Sequence, residues 1–290
     1  MAADSESTVR GRDLGGAIRL AMESAEINGK RLAELLDWSE TKVSRILTGH
    51  MSPLETEVAA ILAMCGVVGG RRDSLLDLCR TQALSNWSTD RDAVFKHQQG
   101  ASKIIEFHNS LIPSLLQIEH YARLLIFRMV NMEECQIESW LAMQMRSQTV
   151  LDRPGPKRST FTFFVHQLAL ELPLGGNEVM SSQLHHVLRM AVRRHVSIRI
   201  VPSAIGAYPG SCGPFRFIDY PDFQPIVYVE DEVEGHFLEE RDKVTAYQRL
   251  IAALSAVSLD ATESIRLIRE KAECYDNTRL NAAEAHHSDG

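Results

Sequence analysis

Residues 29–49 read GKRLAELLDWSETKVSRILTG, and this stretch decides the fold of the N-terminal part of the chain. Two short apolar groups flank Asp37-Trp38, a pattern that predicts two short helices joined by a tight corner. In the second helix Val43, Ile46 and Leu47 recur at i, i+3 and i+4 and form one inward stripe. The stretch therefore predicts a helical pair whose second member buries one narrow side.

The opposite side of the second helix carries short polar and cationic side chains. At about 100° per residue, those that point away from the stripe are Thr41, Ser44, Arg45 and Thr48, with Lys42 on its shoulder. Ser39 can cap the first N–H groups, and Gly49 is expected to end the helix in a left-handed conformation. Such a face suits entry into the major groove of DNA, although similar helix pairs also occur in proteins that bind no DNA.

Apolar periodicity continues on both sides of this pair. A stripe from Leu14 to Ala25 predicts a first helix, and another from Leu54 to Cys65 predicts a fourth. Ser52 is expected to cap the fourth helix, with Pro53 at its first position. A fifth helix is predicted at about residues 72–84. The N-terminal part is thus predicted to be a compact five-helix bundle.

Composition limits the classes of protein to consider. The 290 residues carry a formal net charge of −7, and the five cysteines form no CxxC pair. The chain has no apolar run of about 18 residues, and its polar N-terminus lacks the apolar core of a signal peptide. We therefore expect a cytoplasmic protein and not a membrane protein or a disulfide-rich secreted one. If the polar face described above binds DNA, the protein would be associated with the nucleoid.

The charge around the predicted helix pair is only weakly favourable for DNA. Residues 28–50 contain four Lys and Arg against three Asp and Glu, a local charge of +1. DNA affinity rests on cations at phosphates, so this charge favours binding as a homodimer, or with a partner that adds affinity.

The chain beyond residue 102 predicts an α+β domain with a small mixed or antiparallel sheet. Strands are predicted at about residues 103–111, 161–166, 197–201, 215–219 and 226–230. Helices are predicted at about residues 118–129, 133–151, 177–194, 238–257 and 260–272. The predicted organisation is a disordered N-terminus (1–12), a helical domain (13–84), a linker (85–102), the α+β domain (103–275) and a disordered tail (276–290).

Metal and catalytic sites are not expected in the α+β domain. His185 and His186 are adjacent, so on a helix they point about 100° apart and cannot easily share a metal ion. Ser211 and Cys212 lack a recognisable base and oxyanion arrangement. We expect neither enzymatic activity nor a cofactor.

Aromatic side chains concentrate between residues 208 and 228. Core packing explains most of them, while any that lie in a loop or at a sheet edge would suit a protein interface. The candidates for binding a partner are Tyr208, Phe217, Tyr220, Phe223 and Tyr228.

The five-helix spacing and the segment SETKVSRILTG resemble the lambda-repressor-like, or XRE-type, helix-turn-helix family. By position, the resemblance implies base contacts from Glu40, Thr41 and Arg45. It implies contacts to the DNA backbone from Ser39, Lys42, Ser44, Thr48, His50 and Ser52. Arg45 suits a bidentate contact to guanine. Glu40 could accept from a cytosine amino group or simply favour the helix N-terminus.

Four stretches of the second half resemble the C-terminal domain of actinobacterial XRE-type regulators, a group that includes WhiJ-like regulators of sporulation and development. They are IPSLLQIEHYARLL, LPLGGNEVMSSQLHHVL, VSIRIVPSAIGAYPGSCGPFRFIDYPD and PIVYVEDEVEGHFLEE. The resemblance implies a transcriptional repressor whose second domain dimerises or binds a small partner protein encoded nearby. Two alternatives remain: an antitoxin-like protein that sequesters this partner, and a small-molecule sensor or enzyme.

Overall fold

The computed structural model describes residues 9–80, 91–129, 134–152, 159–221, 223–230 and 235–288. The chain divides into two compact units, Met1–Trp87 with Asp222–Ile226 and Ser88–Pro221 with Val227–Gly290. We call them the N-terminal unit and the C-terminal unit. The first is helical, and the second combines helices with a mixed sheet, which confirms the predicted fold class.

The N-terminal unit contains the five predicted helices. They are α1 (Val9–Ser24), α2 (Gly29–Leu36), α3 (Glu40–Leu47), α4 (Glu55–Met64) and α5 (Gly69–Arg80). All five contribute apolar side chains to one buried core. The apolar periodicity of each segment therefore corresponds to one inward face of a helix in the same bundle.

Helix α4 begins later than predicted. Its N-cap is Leu54, whose backbone N–H donates to a carboxylate oxygen of Glu57 at 2.8 Å. This acceptor, three residues into the helix, satisfies a backbone donor that would otherwise be free. The predicted cap at Ser52 is wrong for this reason.

Helices extend into both end segments that were predicted to be disordered. α1 already begins at Val9, within the predicted disordered segment 1–12, of which residues 1–8 lie outside the described part. At the other end the last helix continues to Ser288. Residues 280–287 read LNAAEAHH, and the high helix propensity of Ala, Leu and Glu explains this extension.

The C-terminal unit is built on a six-stranded mixed sheet with the order β3-β2-β1-β4-β5-β6. Its strands are β1 (Lys103–His108), β2 (Thr160–His166), β3 (Val196–Val201), β4 (Phe215–Asp219), β5 (Ile226–Glu230) and β6 (Gly235–Leu238). β2 runs parallel to both β1 and β3, whereas β1 and β4 are antiparallel, as are β5 and β6. The short strand β6 was not predicted, because four residues are too few to show a strand period.

Seven α-helices accompany the sheet in the described residues. They are α6 (Arg91–Gln99), α7 (Glu119–Met129), α8 (Glu134–Ser147), α9 (Leu168–Glu171), α10 (Gly176–Ala191), α11 (Arg241–Val257) and α12 (Ala261–Ser288). α6 lies inside the predicted linker, which corrects that prediction. Its buried positions are Val94, His97 and Gln98, so polar side chains conceal the inward face that periodicity would otherwise reveal.

Helix α11 covers one face of the sheet. Ile105 and Phe107 of β1 and Phe215 of β4 pack in one core with Val244 and Leu254 of α11. Because side chains alternate along a strand, the neighbouring residues of β1 face the other side. Helices α10 and α12 pack against each other and both contact β3.

Arg199 of β3 fixes the end of α11. Its guanidinium donates to the backbone carbonyls of Ser255, Ser258 and Leu259 at 3.0, 3.1 and 3.0 Å, and to the Ser255 hydroxyl at 2.6 Å. Carbonyls at the end of a helix lack intrahelical donors. Arg199 therefore provides hydrogen-bond donors to several carbonyls at and just after the end of α11.

A buried ion pair links β1 to β4. Arg216 donates two hydrogen bonds to the Glu106 carboxylate, at 3.1 and 2.9 Å, and a third to the Ser114 hydroxyl at 2.7 Å. Burial alone would raise the pKa of Glu106, but Arg216 and His108 lower it to about 2. The pair is therefore charged and bidentate inside the sheet.

Candidate nucleic-acid interface

Helix α3 presents a polar face because its apolar face is held in the core. Val43 and Ile46 are each 2% exposed. The side chains of Glu40, Thr41 and Ser44 are exposed on the same short helix. The first turn and one outer side of α3 are thus exposed and could enter a groove of a nucleic acid.

The corner between α2 and α3 has the predicted position. Asp37 ends α2 in the left-handed region, at φ 55° and ψ 43°. Ser39 follows as the N-cap of α3, and its hydroxyl oxygen accepts from the backbone N–H of Lys42 at 3.2 Å. Trp38 is half-buried and packs against the helical core, as expected for a corner residue. Local capping therefore sets the direction in which α3 leaves the corner.

Lys42 is engaged inside the unit. Its ammonium lies 2.5 Å from a carboxylate oxygen of Glu57 and 4.0 Å from the centre of the Trp38 ring. This differs from the predicted contact of Lys42 with a DNA phosphate, for which the ammonium would have to leave both partners. In this structure Lys42 positions α3.

Glu57 connects two helices through its two carboxylate oxygens. One accepts from Lys42 of α3, and the other accepts from the N–H of Leu54 at the start of α4. Burial raises the pKa of Glu57, but the hydrogen bonds from Lys42 and Leu54 outweigh it and lower the pKa below its ordinary value. A charged Glu57 therefore holds the N-terminus of α4 beside α3.

Helix α1 touches the far end of α3 at its backbone. A Cβ atom placed on Gly15 would lie 2.3 Å from the carbonyl oxygen of Leu47. Arg19, one turn further along α1, donates to that same oxygen at 2.9 Å. The only advance signal for this contact is a Gly15-Gly16 pair inside a helix, where glycine is otherwise unfavourable. Sequence reasoning missed Gly15, Arg19 and Glu57.

The C-terminal end of α3 limits what its hydroxyl groups can do. Gly49 has φ 76°, which confirms the left-handed end of the helix. The Thr48 hydroxyl donates to the carbonyl of Ser44 at 2.8 Å, and its single proton is then unavailable to a phosphate. His50 is half-buried, with Nδ1 3.0 Å from the Thr48 hydroxyl, whereas Ser52 is exposed.

Arg45 lies on the outer side of α3 and is half-buried. It is one turn from Thr41, so the two side chains occupy neighbouring positions on one side of the helix. Among the predicted base-contacting residues, Glu40 and Thr41 are exposed and Arg45 is the cation. The structure brings the three together on α3.

The charge of the helical unit is balanced. Residues 9–80 contain ten Lys and Arg and ten Asp and Glu. Several of these charges pair within the unit, including Arg31 with Glu34 at 3.1 Å and Arg80 with Glu55 at 2.5 Å. A long-range attraction to phosphates is therefore weak, and affinity depends on close contacts.

The five aromatic residues predicted to bind a partner do not form an exposed patch. Three of its five members are buried, namely Phe217, Tyr220 and Tyr228, which are 4%, 9% and 4% exposed. Tyr208 is half-buried and stacks on His166 with ring centres 4.7 Å apart, and Phe223 is also half-buried. Strands in the middle of the sheet bury both faces, so their aromatic side chains pack internally.

No group of three or more His, Cys, Asp or Glu side chains that could hold a metal ion occurs in the described residues. His185 lies instead 3.0 Å from a carboxylate oxygen of Asp276. Within the same described part, no helix is both long enough and apolar enough to cross a membrane.

Comparison with known families agrees with the division into two units. Residues 13–75 match a family model described as a helix-turn-helix domain. Residues 92–270 match a model described as a domain of unknown function, DUF5753. No curated protein and no solved structure matches the chain. The second match begins at α6, which assigns this helix to the C-terminal domain.

Proposed function

We propose, since this chain belongs to the DUF5753 family and carries a helix-turn-helix domain, that it is a sequence-specific transcription regulator of the XRE type. The observation that carries the proposal is the exposed polar side of α3, held in place by Val43 and Ile46. A helix supported in this way can enter the major groove without losing its own core contacts.

Base recognition is assigned to the first turns of α3. Arg45 has the planar fork needed to contact the N7 and O6 atoms of guanine together. Thr41 can contact a base edge or a thymine methyl group, and Glu40 can accept from a cytosine amino group. Ser39, Ser44, His50 and Ser52 are proposed to contact the DNA backbone. Thr48 is left out, because its hydroxyl proton is donated to Ser44 and the backbone oxygens of DNA can only accept.

A homodimer is proposed because residues 9–80 have zero net charge, so one copy would attract DNA only weakly. Two linked copies place two α3 helices on successive major grooves, and the second contact gains from the effective concentration of the first. The DUF5753 domain is proposed to be the regulatory, non-enzymatic part, which binds a small partner protein. The resemblance of its stretches to developmental regulators supports a role as a repressor.

The test begins by locating the operator through genome-wide binding of the tagged full-length protein. Purified Arg45→Ala should then bind that operator more weakly by about 1–3 kcal/mol, with little change for unrelated DNA. Arg71→Ala is the matched control, because Arg71 is an exposed arginine on α5. If Arg45→Ala and Arg71→Ala bind the operator equally well, α3 is not the helix that reads the bases.

A second candidate, an antitoxin-like protein that sequesters a small partner, is favoured by the zero net charge of residues 9–80. It predicts a tight complex in co-purification and no reproducible operator in the genome-wide experiment. Recovery of one enriched sequence whose binding depends on Arg45 would exclude it as the main function.

A further inference from the structure

A groove of about 340 Å³ lies between α10 and α12 in the C-terminal unit. It is lined by His185, Leu188, Arg189, Val192, Ile265 and Arg269. The α10 positions recur at i, i+3, i+4 and i+7, and the α12 positions at i and i+4, so each helix presents one face. Ser181 contacts Asp276 at 2.5 Å, while Val192 and Ile265 share the groove, which shows that the two helices run antiparallel.

The floor of the groove is apolar and open to solvent. Val192 is 81% exposed, while Leu188 and Ile265 are half-buried beside it. Isolated exposed apolar residues are common, but here three line one concave surface. Such a surface gains free energy when another apolar group covers it.

The rim of the groove is cationic, in a chain whose net charge is −7. Arg189 and Arg269 are exposed there, and Arg194 is exposed just beyond the end of α10. Among the described residues none of the three has a carboxylate within ion-pair distance. Nearby Arg193, by contrast, lies 2.5 Å from Asp152. The rim cations are therefore available to carboxylates from outside the chain.

We propose that this groove docks an acidic amphipathic helix of a separate partner protein, an inference that rests on the proposed regulatory role of the C-terminal domain. A helix can lie in the furrow between two antiparallel helices and bury an apolar stripe there. Glu or Asp side chains beside that stripe would meet Arg189 and Arg269.

A symmetric dimer of the chain is not expected to form through this groove. In a symmetric dimer, identical patches face each other, so the arginine rims of both copies would come together. Like charges at close range oppose association, whereas an acidic partner gains from the same rims. The charge pattern therefore disfavours a symmetric dimer through this groove and favours an acidic partner.

The test uses the full-length protein and a fluorescent synthetic helix as long as α10. This acidic probe has Leu at i, i+3, i+4 and i+7 and Glu at the flanking positions, and a matched basic probe carries Lys in place of each Glu. Fluorescence anisotropy should show binding of the acidic probe only. Raising the salt from about 0.05 to about 0.5 M should weaken that binding, because exposed ion pairs are screened.

Substitutions locate the probe on the surface. Val192→Asp should weaken binding of the acidic probe by at least about tenfold, as expected for loss of a central apolar contact. The double change Arg189→Glu and Arg269→Glu should abolish that binding and allow the basic probe to bind instead. Val68→Asp and Arg71→Glu are the matched controls, because Val68 is 79% exposed and Arg71 is exposed in the N-terminal unit.

Three results would overturn the proposal: no binding of the acidic probe, equal binding by Val192→Asp and Val68→Asp, or self-association of the parent that Val192→Asp abolishes. The last would show that a second copy occupies the groove. Operator binding is measured on the same samples. If no operator is bound but the acidic probe still binds and Val192→Asp weakens it, the DNA-binding proposal is refuted. The groove assignment is then still supported.

Discussion

Gly15→Ala should separate α1 from α3, although alanine is the better helix former. The added Cβ would lie 2.3 Å from the carbonyl oxygen of Leu47 and 2.9 Å from that of Ile46. Both contacts are with backbone atoms, so neither can be relieved by rotating a side chain. Gly16→Ala provides a matched control one residue away, since nothing lies within 4 Å of its Cβ position.

The two substitutions should change the free energy of unfolding in opposite directions. Replacing glycine by alanine inside a helix stabilises it by about 0.5–1 kcal/mol, which is the whole effect expected for Gly16→Ala. At Gly15 the same gain is opposed by overpacking of about 1–3 kcal/mol. Moving α3 away also weakens the hydrogen bond from Arg19 to Leu47, at a cost of about 1 kcal/mol. Because both variants share the gain from alanine, we expect Gly15→Ala to be less stable than Gly16→Ala by about 2–4 kcal/mol.

Hydrogen exchange of the full-length protein measures the effect where it arises. Peptides from α1 and α3 should exchange faster in Gly15→Ala and unchanged or slower in Gly16→Ala, because local opening follows local stability. Operator affinity should fall in Gly15→Ala alone, since α3 would be displaced from the helices that orient it.

Equal exchange protection and equal operator affinity for the two variants would refute the close approach of α1 to α3. Destabilisation by Gly16→Ala to the same extent would also contradict it, because a general intolerance of side chains in α1 would then be the cause.

Three further changes test other contacts. Glu57→Gln should lower the free energy of unfolding by about 1 kcal/mol, since it removes a partly buried ion pair with Lys42, and operator affinity should fall with it. Glu106→Gln should cost about 3–5 kcal/mol in urea unfolding, because it leaves Arg216 buried without its partner. The pKa of Glu106 is lowered in the folded state, so the parent should lose stability as the pH falls from about 4.5 toward about 2, and Glu106→Gln should lose less. Arg199→Lys should lower the thermal midpoint at unchanged charge, because an ammonium cannot reproduce the fork of hydrogen bonds at the end of α11, and an unchanged midpoint would contradict that capping role.

Helix α3 could be predicted because its signals are local. Val43 and Ile46 fall on one side of a single turn, Ser39 provides the cap, and Gly49 provides the left-handed end. Each depends on residues within four positions of another, which is the range over which helical spacing is informative. The outward positions of Thr41 and Ser44 follow from the same geometry.

The contacts that position α3 could not be predicted, because they join residues distant along the chain. Nothing in the local pattern indicates that Lys42 pairs with Glu57 or that Arg19 reaches Leu47. An exposed cation on a predicted DNA-binding helix suggests a phosphate contact, and only tertiary packing shows that Lys42 has protein partners.

The burial of the aromatic residues in the sheet could not be predicted for a different physical reason. Phe217 and Tyr228 lie in strands covered on both faces, so both alternate sets of side chains are buried. A pattern of aromatic residues between loops is compatible with an exposed edge or with such a covered strand. Whether one or both faces of a sheet are covered depends on the whole fold, and the periodicity of a single strand cannot show it.

The position of β1 in the middle of the sheet has a consequence for synthesis of the chain. The core of the helical unit draws on residues up to Cys79, whereas Lys103 of β1 lies opposite Thr160 on one side and Asp219 on the other. At about 5–20 residues per second, the ribosome needs on the order of 10 s to proceed from β1 to β4. During that interval β1 has an unpaired edge that invites aggregation or a chaperone, while α1 to α5 can already fold. A nascent or truncated chain would therefore carry folded helices α1 to α5 before the domain proposed to regulate them exists.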